Sequence, residues 1–101
     1  MPFYGYTGIP DPLAPNKTVA GTVRKWSVKE GNFTSPDQRI GIVDVAGKDY
    51  GLVICFPALI EKLHSKEGST VAEDGLILKW IADGENIPYG RAYFRLEAED
   101  P

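Results

Sequence analysis

The chain is poor in the residue types from which several common sites are built. Its 101 residues include one cysteine, Cys55, and one histidine, His64, which excludes an internal disulfide and a structural Cys/His metal site. The longest apolar run, residues 52–60, is too short for a membrane span and contains Pro57. There is no cluster of Lys and Arg, and the net charge is −3. We therefore expect neither a nucleic-acid partner nor a membrane partner.

The remaining composition is that of an ordinary globular domain. Hydrophobic residues make up 43% of the chain and charged residues 25%, which predicts a single domain with a modest core. The first residues lack the basic and apolar regions of a signal peptide, so we expect a cytoplasmic protein.

Residues 1–16 form an N-terminal arm rich in proline, glycine and tyrosine. Proline removes backbone donors and glycine adds unfolded-state entropy, so this composition disfavours regular structure. Large apolar side chains are nevertheless frequent in the arm: Phe3, Tyr4, Tyr6, Ile9 and Leu13. Two interpretations stay open, a loose leader and an arm that packs on this domain or on a neighbour.

A short pattern with strand-forming composition occurs twice. Residues 21–26, GTVRKW, return 54 positions later as residues 75–80, GLILKW. β-branched and aromatic residues of this kind are typical of strands, and a glycine-containing turn follows each copy. The repeat predicts two quasi-symmetric half-units whose apolar faces cover each other.

The section between the half-units, residues 45–74, is predicted to be an insertion made of a hairpin and a short helix. Gly47, Lys48 and Asp49 favour a tight reversal. Residues 57–66 favour a helix, because Pro57 suits the first helical position and Gly68 suits a C-terminal cap.

The two half-units, residues 18–44 and 71–97, resemble the biotinyl/lipoyl attachment-domain family. The resemblance implies a mainly β fold of the barrel-sandwich hybrid type, here a single domain over residues 17–98. In carriers of this family a lysine at a hairpin tip holds biotin or lipoyl, typically within Met-Lys-Met or Asp-Lys-Ala. Alignment places Gly47 at that position, and Lys48 follows one place later without either signature.

Two functions follow from this departure. The first is a non-enzymatic, unmodified module of a larger complex that binds a protein or ligand and needs no cofactor. The alternative is a swinging-arm carrier of biotin or lipoyl on Lys48, in a carboxylase or acyl-transfer system. The unmodified module is the preferred hypothesis, because the residues that flank a carrier lysine are missing here.

A second alignment of the repeat is available. Residues 29–31, Lys-Glu-Gly, recur 37 positions later as residues 66–68 and would start the second half at Ala58. It ranks below the first because it forces residues 57–66 into strands and leaves the last twenty residues unexplained. Gly47 falls at the modified position in this alignment too.

The remaining candidate site residues are aromatic or titratable. No Ser or Cys nucleophile lies at motif spacing from His64, so we expect no enzymatic activity. Cys55 is expected to be a buried, inert thiol, and Asp44 and Glu97 to be solvated strand-end acids. A contact surface for a protein partner or a homo-oligomer is predicted from five aromatic residues: Tyr4, Tyr6, Trp26, Trp80 and Tyr89.

Overall fold

The computed structural model describes residues 1–99, and β-strands dominate it. The strands are β1 (Pro2–Thr7), β2 (Ile9–Pro10), β3 (Thr18–Val19), β4 (Gly21–Trp26), β5 (Gln38–Val45), β6 (Lys48–Ile54), β7 (Leu59–Leu63), β8 (Thr70–Val71), β9 (Leu78–Asp83) and β10 (Phe94–Ala98). A single 3-10 turn, Gly84–Asn86, is the only helical element within residues 1–99. None of the described segments is a helix with the length and apolarity to cross a membrane.

The strands form three antiparallel sheets. A five-stranded sheet has the order β10-β6-β5-β4-β8, a three-stranded sheet has the order β1-β9-β7, and β2 pairs with β3. The core is drawn from both larger sheets and from the loop residue Phe56, with Val23, Leu52, Ile60 and Leu78 fully buried. Burying one such aliphatic side chain contributes ~1.5–3 kcal/mol, so the shared core holds the sheets together.

One set of backbone hydrogen bonds occurs twice, 37 residues apart. Gly31 N donates to Ile60 O at 2.7 Å, and Gly68 N donates to Val23 O at 2.7 Å. Both glycines have positive φ, +94° and +87°, a conformation that L-residues with a side chain rarely adopt. The bonds are reciprocal, because each copy donates to the strand of the other.

Side chains repeat the same exchange. Glu67 Oε2 accepts a hydrogen bond from Trp26 N at 2.8 Å, and Glu30 Oε2 accepts one from Leu63 N at 2.9 Å. Each glutamate directly precedes one of the two positive-φ glycines. The glutamate of each Lys-Glu-Gly tripeptide thus accepts a hydrogen bond from a backbone N–H group of the opposite copy.

The strand ladders carry the same repeat. β4 pairs with β5 and β7 pairs with β9, in registers that match position for position at an offset of 37. A bulge interrupts the first ladder between Val23 and Lys25 and the second between Ile60 and Lys62. The lower-ranked sequence alignment is therefore the one that the hydrogen bonds follow.

The preferred alignment, with an offset of 54, is wrong. Trp26 and Trp80 were matched in it, but the counterpart of Trp26 in the ladders is Leu63 and that of Trp80 is Val43. Moreover, β4 pairs with β5, whereas β9 and β10 lie in different sheets. The two GxβxKW strings share a composition that suits any half-buried strand, and this composition created the false match.

The helix predicted over residues 57–66 is also wrong, because Leu59–Leu63 form β7. Pairing with β9 satisfies this backbone, and so tertiary context overrides a short local helix signal. Residues 45–74, predicted as an insertion, contribute β6, β7 and β8 to the two larger sheets.

The N-terminal arm contains regular structure despite its composition. All six residues of β1 pair with β9, so the arm packs on this domain. Pro2 is tolerated at the first position of an edge strand. Gly5 lies opposite Trp80, and an added Cβ there would overlap the indole ring. The glycine therefore permits the close packing of β1 over the tryptophan.

Candidate partner-binding surface

The hairpin between β5 and β6 holds the first candidate site. Its two-residue loop is Ala46-Gly47, with φ of +53° and +84°, as in a type I′ turn. Gly47 N donates to Asp44 Oδ1 at 3.1 Å, which fixes the turn. Lys48 is exposed and pairs with Val45 in the ladder. It therefore belongs to the strand next to the apex, and the apex itself has no lysine.

The outer face of the three-stranded sheet carries a row of apolar side chains. Tyr4 lies opposite Ile81, Ile81 lies opposite Leu59, and Leu59 forms an isolated bridge with Phe33. Directly opposed residues share one face of a sheet, so the four side chains form a continuous row. Tyr4 is 62% exposed and Phe33 79%, while Ile81 and Leu59 are half-buried. We call these four residues the apolar row.

A charged pair borders the apolar row. Lys79 Nζ lies 3.0 Å from Glu61 Oε2, and it lies 5.1 Å and 5.5 Å from the ring centroids of Tyr4 and Tyr6. The hydrogen bond to Glu61 raises the pKa of Lys79 above its ordinary value. The ammonium thus remains charged near neutral pH and holds both tyrosine rings by cation–π contact.

The corresponding face of the five-stranded sheet has opposite chemistry. Asp44 is the counterpart of Ile81 at the offset of 37. Its neighbour across the ladder is Asp49, whereas the neighbour of Ile81 is Tyr4. Thr22 and Thr70 take the places of Leu59 and Phe33. We call these four residues the polar row.

Arg24 neutralises the acids of the polar row. Its guanidinium lies 3.2 Å from Asp44 Oδ2 and 3.4 Å from Asp49 Oδ1. The same backbone frame therefore presents a polar row on one face of the protein and an apolar row on the other.

A groove lies beneath β1, on the side away from the apolar row. Its volume is about 260 Å³, and Gly5, Trp80, Tyr89 and Tyr93 are among its lining residues. Trp80 and Tyr93 make edge-to-face contacts with the buried ring of Phe56, at centroid distances of 4.8 Å and 5.4 Å. The floor is therefore a fixed aromatic cluster.

The five aromatic residues predicted to bind a partner fall into three places. Tyr4 and Tyr6 place their rings beside Lys79 on the outer face of β1 and also contribute to the lining of the groove, whereas Trp80 and Tyr89 belong to the groove alone. Trp26 lies apart from both, half-buried in β4, where its Nε1 donates to Ser65 O at 2.8 Å. β1 therefore contributes residues both to the apolar row and to the groove.

The titratable candidates do not converge on one site. His64 is exposed, and its ring centroid lies 5.9 Å from that of Tyr6. Arg95 hydrogen-bonds Asp37 and Glu97, which raises its pKa, and it also contacts Cys55 Sγ at 3.3 Å. Cys55 is half-buried rather than fully buried.

Sequence reasoning missed most of the apolar row. Phe33, Leu59 and Ile81 are not conspicuous in the sequence, because Phe33 lies in a loop segment and Leu59 falls within the predicted helix, although the structure places it in β7. The Lys-Glu-Gly repeat contains the missing signal. Its offset of 37 aligns Ile81 with Asp44, and that contrast marks one face as apolar.

No family model, curated protein or solved structure matches this chain. Among residues 1–99 there is also no group of three or more His, Cys, Asp and Glu placed to hold a metal ion.

Proposed function

We propose that this chain is a non-enzymatic module of the biotinyl/lipoyl type that carries no prosthetic group and binds a protein partner through the apolar row. The observation that carries the proposal is the contrast between the apolar row and the polar row. The two faces have the same strand pairing and the same bulge, so the backbone requires no apolar side chains on one face that it does not require on the other. Folding alone therefore does not explain the apolar face.

The reciprocal repeat supports the fold assignment within this proposal. In the family, two similar halves cover each other's apolar face around an approximate twofold axis. Here the backbone bonds of Gly31 and Gly68, and the carboxylate bonds of Glu30 and Glu67, are exchanged between halves in the same manner. We infer a barrel-sandwich hybrid whose halves meet at the β5–β6 hairpin.

The apex of that hairpin supports the absence of a prosthetic group. Carriers of the family have their lysine at the corresponding tip, where a long side chain projects freely. Ala46 and Gly47 occupy the tip here, and neither has an amine to acylate. Lys48 is held in the ladder opposite Val45, with its Nζ 5.5 Å from the ring centroid of Tyr50.

The chemistry of the row favours a protein as the partner. A continuous row of apolar side chains that are exposed or half-buried is an unusual surface for a protein that remains alone in water. Tyr4 and Phe33 stand at its two ends, and large aromatic residues commonly supply most of the binding energy of protein interfaces. The pair of Lys79 and Glu61 beside the row supplies polar groups that fix orientation.

Photo-crosslinking in the native cells tests this proposal. Phe33 is replaced by p-benzoylphenylalanine in one variant, and its polar-row counterpart Thr70 is replaced in a control variant. We expect an adduct with one protein from position 33, none from position 70, and loss of the adduct when Leu59→Ser is added. Equal adducts from both positions, or none from position 33, would overturn the proposal.

A carrier function on Lys48 is the second candidate, favoured by the exposure of this lysine beside the hairpin tip. The intact mass of the protein purified from its native cells separates the two. We expect the unmodified mass. A biotinyl or lipoyl increment that disappears in Lys48→Arg would establish the carrier and remove the unmodified module.

A further inference from the structure

β1 leaves one edge of the three-stranded sheet open. It is the terminal strand of the order β1-β9-β7, and all six of its residues already pair with β9 on the other side. Within residues 1–99 no backbone hydrogen bond outside this ladder involves Tyr4 or Tyr6. The opposite edge is different, because β7 is bonded to the segment around Asn32 and Phe33.

One hydrogen bond shows which backbone groups of β1 point towards β9 and which point outward at the open edge. Gly84 N donates to Met1 O at 3.1 Å, which makes residues 1 and 84 a hydrogen-bonded pair. Such pairs alternate along an antiparallel ladder, so Phe3 and Gly5 also point their backbone groups at β9. The N–H and C=O groups of Tyr4 and Tyr6 consequently point away from the sheet.

The edge lacks the features that usually prevent strand addition. Native proteins protect open edges with charged side chains, internal prolines, bulges or covering segments. β1 has no charged residue, its single proline is at the first position, and its pairing with β9 shows no register shift.

We propose that β1 pairs antiparallel with β1 of a second copy of this chain. The sequence Tyr4-Gly5-Tyr6 reads the same in both directions, so a twofold axis at Gly5 places each Tyr4 opposite Tyr6 of the second copy. Both residues of this pair present outward backbone groups. The pairing therefore forms four backbone hydrogen bonds around the axis, two for each Tyr4–Tyr6 pair.

The groove beneath β1 favours a second copy over an unrelated peptide. In this register Phe3 of one copy lies opposite Thr7 of the other, on the face of β1 that borders the groove. Phe3 is 43% exposed and lines one part of the groove of its own chain, which has a volume of about 260 Å³ and extends to Thr7 and Tyr93. The register thus places the Phe3 end of each groove beside the Thr7 end of the other, which is the self-complementarity that a twofold interface requires.

Two variants at position 6 test the backbone pairing. Tyr6→Pro removes the ring and the outward N–H, whereas Tyr6→Ala removes the ring and keeps the N–H. We expect sedimentation velocity to show a dimer for the wild type and a dimer weakened less by alanine than by proline. The dimer dissociation constant of Tyr6→Pro is expected to exceed that of Tyr6→Ala by ~10-fold or more, because only proline removes two of the four backbone hydrogen bonds. A monomeric wild type at the highest attainable concentration, or equal effects of both variants, would overturn the proposal.

Cysteine pairing tests the register, in a Cys55→Ala background. Mild oxidation of an equimolar mixture of Tyr4→Cys and Tyr6→Cys chains is expected to yield mainly the mixed disulfide dimer. Tyr4→Cys or Tyr6→Cys alone is expected to yield little. Predominant self-crosslinking of Tyr4→Cys would place the axis at residue 4 and overturn the register. Photo-crosslinking at position 33 reports on a different surface, so this test and that of the proposed function can fail independently.

Discussion

Ile81 and Asp44 occupy the same position in two copies of one strand ladder. Ile81 lies between Tyr4 and Leu59, and Asp44 lies between Asp49 and Thr22. The two copies have the same pairing and the same bulge, so local structure does not set the difference in side-chain chemistry. Under the proposed function, the difference reflects what each face contacts once the domain has folded.

The exchanged glutamates should contribute equally to stability. Glu30→Ala and Glu67→Ala each leave one strand N–H without its carboxylate acceptor, and each is expected to cost ~1 kcal/mol. Urea unfolding with a fixed m-value measures the loss. Glu73→Ala is the control, since its carboxylate makes no hydrogen bond or ion pair within residues 1–99, and it should change the unfolding free energy by less than ~0.5 kcal/mol. Unequal losses for Glu30 and Glu67 would contradict their structural equivalence.

Gly5→Ala should destabilise the protein and disturb one tryptophan. The added methyl overlaps the indole of Trp80, and overpacking of this kind costs ~1–3 kcal/mol. We expect a lower unfolding midpoint and an altered fluorescence spectrum in the folded state. The control is Gly31→Ala, where nothing lies within 4 Å of an added Cβ and only the φ of +94° is strained. That variant should lose stability without the same spectral change.

The hairpin should accept a prosthetic group once the family signature is restored. The combined substitutions Ala46→Asp, Gly47→Lys and Lys48→Ala create an Asp-Lys-Ala apex on the same turn. Co-expressed with a lipoate ligase, this variant is expected to gain a lipoyl increment in its intact mass, whereas the wild type is not. A variant that still unfolds cooperatively, with the midpoint lowered only by the strain of a side chain at the φ of +84°, yet stays unmodified would argue against a carrier-type scaffold.

The ion pair between Lys79 and Glu61 should stabilise the fold over a defined pH range. Because hydrogen bonding to Glu61 raises the folded-state pKa of Lys79, the contribution is complete below the unfolded value of 10.5 and is lost as pH rises through the folded pKa. The difference in thermal midpoint between wild type and Lys79→Met should therefore be constant near neutral pH and shrink in strong alkali. A difference that grows above pH 10.5 would have the wrong sign.

Sequence reasoning predicted the β-rich class but chose the wrong repeat. The GxβxKW match is longer, yet its residues are only those that favour strands in general. The Lys-Glu-Gly match is shorter, yet its glutamate and its glycine each have a structural task. Gly31 and Gly68 adopt positive φ, and Glu30 and Glu67 accept bonds from the opposite half. Residues required by backbone geometry are thus better markers of a repeat than residues that merely suit a strand.

The candidate surface was less predictable than the fold class. Tyr4 and Tyr6 were recognised because apolar residues are conspicuous in a proline-rich arm. The rest of the apolar row comes from three separate segments that meet only through β7, and β7 was predicted to be a helix. No local pattern joins Phe33 to Tyr4, and the register of the sheet alone brings their side chains onto one face.

The pairing of β1 with β9 also determines when the chain can fold. β1 needs residues 78–83 for its ladder, so during synthesis it stays unpaired on both edges until those residues have been made. During that interval the uncharged segment of residues 2–7 is exposed to other nascent chains. Synthesis rate and chaperone supply should therefore affect how much of this protein reaches its native form.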